Sequence, residues 1–501
     1  MSQHPTSFIV VGSGVFGSST ALELVRSGHK VTVLDRSIDG YAAPDSASND
    51  LNKIIRADYS DSHYCSLGKE AISLWRNDPI ISTYYHEVGV MFRSGPSNVG
   101  GDEYVNKGVS NANRKESAGE IERPAPGKSL PPSAFKLNSV QDARAAFPAS
   151  VRPYLGRAVE GFGKGETLGQ TGFFNPRGGW AEANNACRAV LAEAQRLGAQ
   201  VVPKAGVESL LFSEQDKQKV VGVKTTDGRT FKADQVILAT GCWSRDLLAK
   251  LLPGFERLPQ PASPSAQCVM TIQLDEEERR RFKDLPVVLN FSTGFYIFEP
   301  NDQGLMKIAI HSSGYQNPAP QATCSSNTEI KYPSFDQGEE GSCRPSETSN
   351  KASDRFVPPT KKDEMLQELY EIFPSLAKRE KVAFTRICWY SDTRDENWII
   401  DHVPNTKNLL LASGDSGHGY KFLPVMGRLI LGRLRLTSKT SPERVYELDR
   451  HQEKVFSFKY HESLAEDEER GRKVESSDSG RANNASGFNR SGAVEAVRAR
   501  L

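Results

Sequence analysis

Three features of the 501-residue sequence predict an α/β fold class, with a parallel-sheet domain interleaved with an antiparallel-sheet, α+β one. The first is a strand–Gly turn–helix–strand unit over residues 8–35. The second is the return of strand patterns that end in glycine turns, over 187–241 and 409–419. The third is a block over 261–315 that alternates apolar and polar side chains, the period of a sheet with one buried face.

Phe8 to Val11 reads as a short buried strand ending in Gly12-Ser13-Gly14-Val15-Phe16-Gly17. A helical pattern follows from Ser18 to Arg26, and Gly28 stands where a helix stops. A second apolar strand, Val31 to Leu34, ends in Asp35. Such a unit requires parallel strands joined by a right-handed crossover. Gly12 permits the tight turn, Gly14 lets a pyrophosphate approach the backbone, and Gly17 lets the helix pack close to the strand. The helix N-terminus adds free N–H groups and partial positive charge. Asp35 sits where a carboxylate accepts from a ribose hydroxyl. The unit therefore points to an adenine dinucleotide. FAD and NAD both use such a turn; its position at the extreme N-terminus and the later strand end Ala239-Thr240-Gly241 favour FAD, and no second GxGxxG would place a nicotinamide nucleotide beside a flavin.

The later pieces follow the same plan. A helix from Ala189 to Leu197 leads through Gly198 to a strand, Gln200 to Pro203. Hairpin-like segments surround Asp227-Gly228, and Gln235 to Ala239 closes the region. Leu409 to Ala412 runs into Ser413-Gly414-Asp415-Ser416-Gly417-His418-Gly419. These pieces must share one core with residues 8–35, so one domain interrupts the other. The expected division gives 1–85, 186–260 and 385–455 to a Rossmann-like, glutathione-reductase-type domain. Residues 86–185 and 261–384 form the substrate domain, with antiparallel strands over Val287 to Phe298 and Leu305 to His311. Residues 316–360, rich in Ser, Pro, Asn and Glu, read as a surface insertion, and 456–501 as a disordered tail.

Composition excludes some partners. With 63 Lys+Arg against 62 Asp+Glu the chain has no general basic field for nucleic acid or an anionic membrane. Its seven cysteines, an odd number with no CxxC spacing, suggest neither a disulfide framework nor a zinc site, and no metal is expected. MSQHPTS lacks a basic n-region before an apolar stretch, and no apolar run approaches about 18 residues. A soluble intracellular protein is expected.

Thr385-Arg386-Ile387-Cys388-Trp389-Tyr390, Trp398-Ile399-Ile400-Asp401 and Ser416-Gly417-His418-Gly419-Tyr420-Lys421-Phe422 are more particular than composition can produce. With them the sequence resembles the monomeric sarcosine oxidase family of flavin amine oxidases, over roughly residues 5–440 apart from 316–360. That family includes pipecolate oxidases, fungal saccharopine oxidases and fructosyl amino acid oxidases. Asn49-Asp50-Leu51-Asn52-Lys53-Ile54 and Asn175-Pro176-Arg177-Gly178-Gly179-Trp180-Ala181-Glu182 resemble the fungal branch. The resemblance implies a monomer with FAD linked through its 8α-methyl group to Cys388 of the Cys-x-Tyr motif. It implies further cofactor contacts from Val15, Phe16, Arg36, Ser48, Asn52, Lys53, Val207, Gly241, Trp243, Gly414, Gly417, Gly419 and Lys421.

The resemblance also assigns chemistry. Lys307 matches the lysine that lies over the flavin and activates oxygen, where a buried ammonium stabilises the anion formed as oxygen is reduced. Tyr296, His311 and Tyr390 match positions that shape the amine pocket. His418 matches a flavin-proximal histidine, although a histidine that holds its turn together would look the same. Arg56 and Lys421 match the pair that grips the substrate carboxylate, the guanidinium by its fork and the ammonium by a second charged contact. Lys53 falls where sarcosine enzymes carry arginine and fructosyl amino acid oxidases carry lysine. The retained Arg56 favours an α-amino acid with a secondary amine over a sugar-modified one.

The implied reaction oxidises the C–N bond of a substrate such as saccharopine, pipecolate or sarcosine with molecular oxygen, giving an imine and hydrogen peroxide. The alternatives are a biosynthetic oxidase that closes a ring on N-methylated aromatic amino acids, a fructosyl amino acid oxidase, an NAD-dependent dehydrogenase and a non-catalytic flavoprotein. Ala499-Arg500-Leu501 is a variant of the Ser-Lys-Leu peroxisomal address, with the cytoplasm as the alternative location.

Overall fold

The computed structural model describes residues 6–44, 46–95, 99–114, 122–162, 171–252, 255, 262–312, 314, 357–440 and 446–469. Strand Ser7–Val11 lies between two parallel neighbours, Lys30–Leu34 and Gln235–Leu238. Leu409–Ser413 and Gln200–Val202 continue the sheet in parallel, and antiparallel Ile399–His402 closes one edge. The pieces separated in sequence therefore meet in one six-stranded sheet. Alternation along the first strand builds both of its faces. Phe8 and Val10 join a core with helices Val15–Arg26, Ala183–Arg196 and Leu423–Arg433. Ile9 and Val11 turn the other way, under the antiparallel strands Val207–Phe212, Val220–Thr225 and Thr230–Lys232. Each such fully buried side chain contributes about 1.5–3 kcal/mol.

The second sheet has eight strands, in the order Val382–Thr393, Ala262–Gln273, Leu305–Ile310, Phe295–Ile297, Val287–Asn290, Val90–Ser94, Thr171–Asn175 and Phe135–Lys136. Val287–Asn290 pairs in parallel with Val90–Ser94, so the sheet is mixed rather than wholly antiparallel. One face (Met270, Ile272, Met306, Ile308) packs on Met365, Leu369 and Ile372 of helix Pro359–Ile372. The opposite face carries Val269, Tyr296, Ala309, Cys388 and Tyr390.

The structure corrects several expected boundaries. Residues 385–393 belong to the eight-stranded sheet, because strand Val382–Thr393 pairs along nearly all of Ala262–Gln273. A three-stranded sheet of Lys53–Ile55, Gly179–Ala181 and Tyr85–His86 runs across the expected division at residue 85. The expected tail begins too early. Phe456 and Phe458 are buried, and helix Phe458–Glu469 docks on the core. Phe458 meets Phe255 edge-on at 6.4 Å, and His461 Nε2 lies 3.2 Å from the Trp398 carbonyl. A few well-placed apolar residues anchor a segment whose composition is otherwise charged. Val357 is buried and leads straight into helix Pro359–Ile372, so the surface insertion ends before it. Residues 315–356 and 470–501, with the terminal tripeptide, lie outside the described residues. Among the described residues no helix is long and apolar enough to cross a membrane.

Candidate functional site

The glycine turn has the close approaches its pattern predicts. Gly12 has φ +97°, and a Cβ there would stand 2.4 Å from the Ala239 carbonyl oxygen. A Cβ on Gly17 would stand 1.9 Å from the Gly12 oxygen, so helix and strand could not meet with any larger residue. Asp35 braces this turn: its carboxylate accepts from Ser13 N at 2.9 Å, Ser13 Oγ at 2.8 Å and Ser37 N at 2.8 Å. Burial pushes its carboxyl above the ordinary value. Ser48 Oγ accepts from Val15 N at 3.0 Å, which satisfies one of the helix's first N–H groups. The Arg36 guanidinium lies 4.4 Å from the Trp243 ring centre. A Cβ on Gly206, next to Val207, would stand 3.7 Å from the Arg36 Cβ. Gly241 opens the short helix Gly241–Trp243 with φ +52°.

Strand register assembles the chemistry. Lys307 stands opposite Thr271, Arg386 opposite Val269, Cys388 opposite Gln267 and Tyr390 opposite Ser265, while Tyr296 faces Ala309. Side chains alternate across a sheet, so all five share one face. The turn after Leu409–Ser413 closes over it. A Cβ on Gly417, at φ +73°, would stand 2.5 Å from the Tyr390 ring and 2.9 Å from His311 Cε1. Gly414 has φ +77°, and Gly419 packs against Phe16, tying this turn to the first one. Burial pushes the Tyr296 phenol up to about 12 and raises Tyr390 well above its usual value.

Between the two sheets, residues 46–56 bring cations to that face. Asp50 Oδ2 receives Lys307 Nζ at 2.6 Å and Lys53 Nζ at 2.7 Å, and Oδ1 lies 3.3 Å from Arg386 Nη1. Burial opposes the Asp50 charge, yet these three cations hold its carboxyl well below the usual carboxylate range. Burial pulls the Lys307 ammonium down to about 8, with Asp50 opposing. For Lys53 burial is overridden by Asp50, and the group stays above its ordinary value. Lys53 Nζ is also 3.3 Å from Cys388 Sγ.

Arg56 and Lys421 converge on Tyr59. The guanidinium sits 4.6 Å from the Tyr59 ring centre, and Lys421 Nζ donates to the Tyr59 hydroxyl at 2.8 Å. Arg56 also donates to Tyr104 Oη at 2.7 Å and to the Asp58 carbonyl. Burial, joined by the Arg56 charge, pulls the Lys421 ammonium well below its ordinary value. Asn175 Nδ2 donates to Asp58 Oδ1 at 2.7 Å, and burial pushes that carboxyl up to about 6 against the pull of Arg56. His418 Nε2 is 2.8 Å from the Glu396 carbonyl, which can only accept, and Nδ1 is 3.1 Å from the Tyr59 hydroxyl. Both ring nitrogens are engaged by the protein, the arrangement of a histidine that holds its turn.

The residues fit a flavin dinucleotide. Besides the glycine turn, Asn52 is fully buried with neither Oδ1 nor Nδ2 bonded among the described residues. A buried amide left so costs about 1–3 kcal/mol, which the polar edge of a bound isoalloxazine ring would recover. Asn52 lies at the cation cluster, its own carbonyl accepting from Lys307 Nζ at 2.8 Å. Trp243 Nε1 is likewise buried without a partner among the described residues.

Lys53, Tyr296, Lys307, Cys388 and Tyr390 thus gather at one sheet face, His311 and Gly417 lie against Tyr390, and Arg56, Lys421 and His418 meet at Tyr59. Sequence reasoning gave no role to Asp50, Arg386, Tyr59 or Asp58. Asp50 and Arg386 stand inside the quoted motifs, but only the pairing of 46–56 with the sheet face reveals what they touch.

A family model described as FAD dependent oxidoreductase matches residues 7–433. The L-saccharopine oxidase of Schizosaccharomyces pombe is 31% identical over 440 residues, spanning 85% of this chain and 89% of its own. A monomeric sarcosine oxidase of Bacillus sp. (strain NS-129) is 26% identical over 458 residues, spanning 90% and 98%. Among solved structures, the fructosyl amine:oxygen oxidoreductase (Amadoriase I) of Aspergillus fumigatus aligns with a TM-score of 0.68 and 26% identity, over 93% of this chain and 92% of that one.

Proposed function

The chain belongs to the FAD-dependent oxidoreductase family, and from that premise we propose that it oxidises the C–N bond of a secondary α-amino acid to an imine, with oxygen leaving as hydrogen peroxide. The observation that carries this reading is the convergence of Arg56 and Lys421 on Tyr59, with Gly417 of the Lys421 turn packed on Tyr390 of the face that bears Lys307 and Cys388. FAD, when bound, supplies the two-electron acceptor and passes the pair to oxygen. The chain's own residues do the rest. Arg56 and Lys421 anchor the substrate carboxylate and so fix where the amine lies. Tyr296, Tyr390 and His311 wall the amine's side of the pocket. Lys307 places positive charge where oxygen becomes an anion. Saccharopine, pipecolate and sarcosine fit this arrangement, each carrying a carboxylate next to a secondary amine.

We further propose that Cys388 Sγ holds the flavin covalently and that the protein resides in peroxisomes. A peroxide-coupled screen over secondary amino acids, fructosyl amino acids and matched amines without a carboxylate tests the function. Peroxide is expected with the first group and not the last. Silence with every amino acid, from a protein that carries flavin, would reject the reading. Acid precipitation of the same protein should leave the yellow colour in the pellet, and Cys388→Ser should release it to the supernatant. A fluorescent reporter carrying the last dozen residues should collect in peroxisomes; a diffuse signal removes that assignment.

A further inference from the structure

We propose that Asp50 is the positioning residue of this site: its carboxylate fixes the Lys307 ammonium and keeps it charged, while Lys53 and Arg386 set how much of that carboxylate Lys307 receives. The inference rests on the oxygen-side role given above to Lys307.

Three stretches remote in sequence meet at this one side chain: residues 50–53, Lys307 and Arg386. Asp50 Oδ2 is shared by two ammonium groups, at 2.6 Å from Lys307 and 2.7 Å from Lys53. Oδ1 faces Arg386 at 3.3 Å. Arg386 is itself fixed by the backbone that carries Asp50, donating to the Asn49 and Ser46 carbonyls. The Asp50 and Lys307 side chains are only 2% and 1% exposed, so water screens neither. Asp50 is the one carboxylate within ion-pair distance of Lys307 among the described residues. The other close surroundings of Lys307 are the Asn52 carbonyl at 2.8 Å and the Phe298 and Tyr296 rings at 5.2 and 5.9 Å.

The charge balance gives this carboxylate its importance. Three cations share one anion in a place closed to water, where charges interact strongly and desolvation disfavours every unpaired one. Burial has already drawn Lys307 down to about 8 with Asp50 present. The other titratable groups facing the cluster are Cys388, beside Lys53, and the Tyr296 phenol, which burial pushes up to about 12. To these are added the Asp415 carboxyl, which burial pushes up to about 7 against the pull of Lys53, and the Tyr420 phenol, which burial and then the Cys187 and Asp50 charges raise. Without the Asp50 charge, Lys307 would keep its burial and the nearby Lys53 charge and would give up its proton nearer neutral pH. A neutral amine has no charge to offer oxygen.

Asp50→Asn keeps the shape and removes the charge. The rate at which the reduced protein reacts with oxygen is measured across pH. In the parent it should fall as pH rises through about 8. In Asp50→Asn the same fall should occur at least about one pH unit lower. The pH-dependence of the resting protein's visible absorption, recorded without substrate, should move by the same amount. A merely structural role would lower the rate equally at every pH and leave both midpoints in place, which would overturn the proposal. If Asp50→Asn gives no folded flavoprotein, Lys53→Gln decides the matter with the opposite sign. Freeing the shared oxygen for Lys307 should move the midpoint upward, and an unmoved or lowered midpoint would overturn the proposal. Lys307→Met separates the two levels. A parental oxygen rate there would defeat the Lys307 role itself, whereas a slow Lys307→Met with unshifted Asp50→Asn midpoints would defeat this inference alone.

Discussion

Lys307→Met should slow the reaction of the reduced protein with oxygen by about 100-fold or more, while reduction by substrate changes by less than about threefold. The side chain is almost wholly buried, and its ammonium projects from the sheet face that also bears Tyr296 and Cys388. Methionine fills nearly the same volume, so the face stays packed and the effect isolates the charge. The pH sign follows from burial, which draws the ammonium down to about 8. The charged form prevails below that value, so the parent's oxygen step weakens as pH rises through it and the Met variant loses that dependence. Stopped-flow measurement of the two half-reactions decides it; equal slowing of both would remove the assigned role.

Arg56→Met should cut kcat/KM for amino acid substrates by about 30-fold or more, mainly through KM. Truncating one partner of a buried charge pair costs about 2–5 kcal/mol, and each 1.36 kcal/mol is about tenfold in rate. Arg56 also donates to Tyr104 and to the Asp58 carbonyl, so the substitution removes structural contacts as well as the charge. A matched amine without a carboxylate separates the two: an equal loss for both substrates would mark Arg56 as structural. Lys421 adds a pH signature. Burial and Arg56 hold its ammonium well below the ordinary value, whereas a substrate carboxylate favours the charged form. Binding therefore takes up a proton, and KM should rise with pH. Lys421→Met should flatten that rise.

The sequence was legible where the physics is local. The Gly12–Gly17 turn, its flanking strands and the alternation over 287–310 depend on neighbours a few residues apart, and all appear where their patterns place them. Pairing between distant segments was less legible. Strand Val382–Thr393 reads equally well as part of either sheet until Ala262–Gln273 is seen beside it. The parallel pairing of Val287–Asn290 with Val90–Ser94 leaves no local mark at all. The helix Phe458–Glu469 was hidden because composition averages over a charged surface and discounts a few buried anchors. The site shows the same contrast. Individual residues such as Lys307 and Arg56 stand out by their motifs, whereas the Asp50 cluster exists only once residues 50, 53, 307 and 386 are folded together.

Strand Ala262–Gln273 grips Cys388 on one flank through Gln267 and Lys307 on the other through Thr271. The separation between those two side chains is therefore counted out in strand residues, at about 3.3 Å each, and owes nothing to any loop. Deleting one residue between positions 267 and 271 would turn one of the two onto the wrong side of the sheet. For anyone grafting a new specificity onto this protein, only loops other than residues 46–56 and 413–422 are exchangeable parts. This strand and its two neighbours must be transplanted whole.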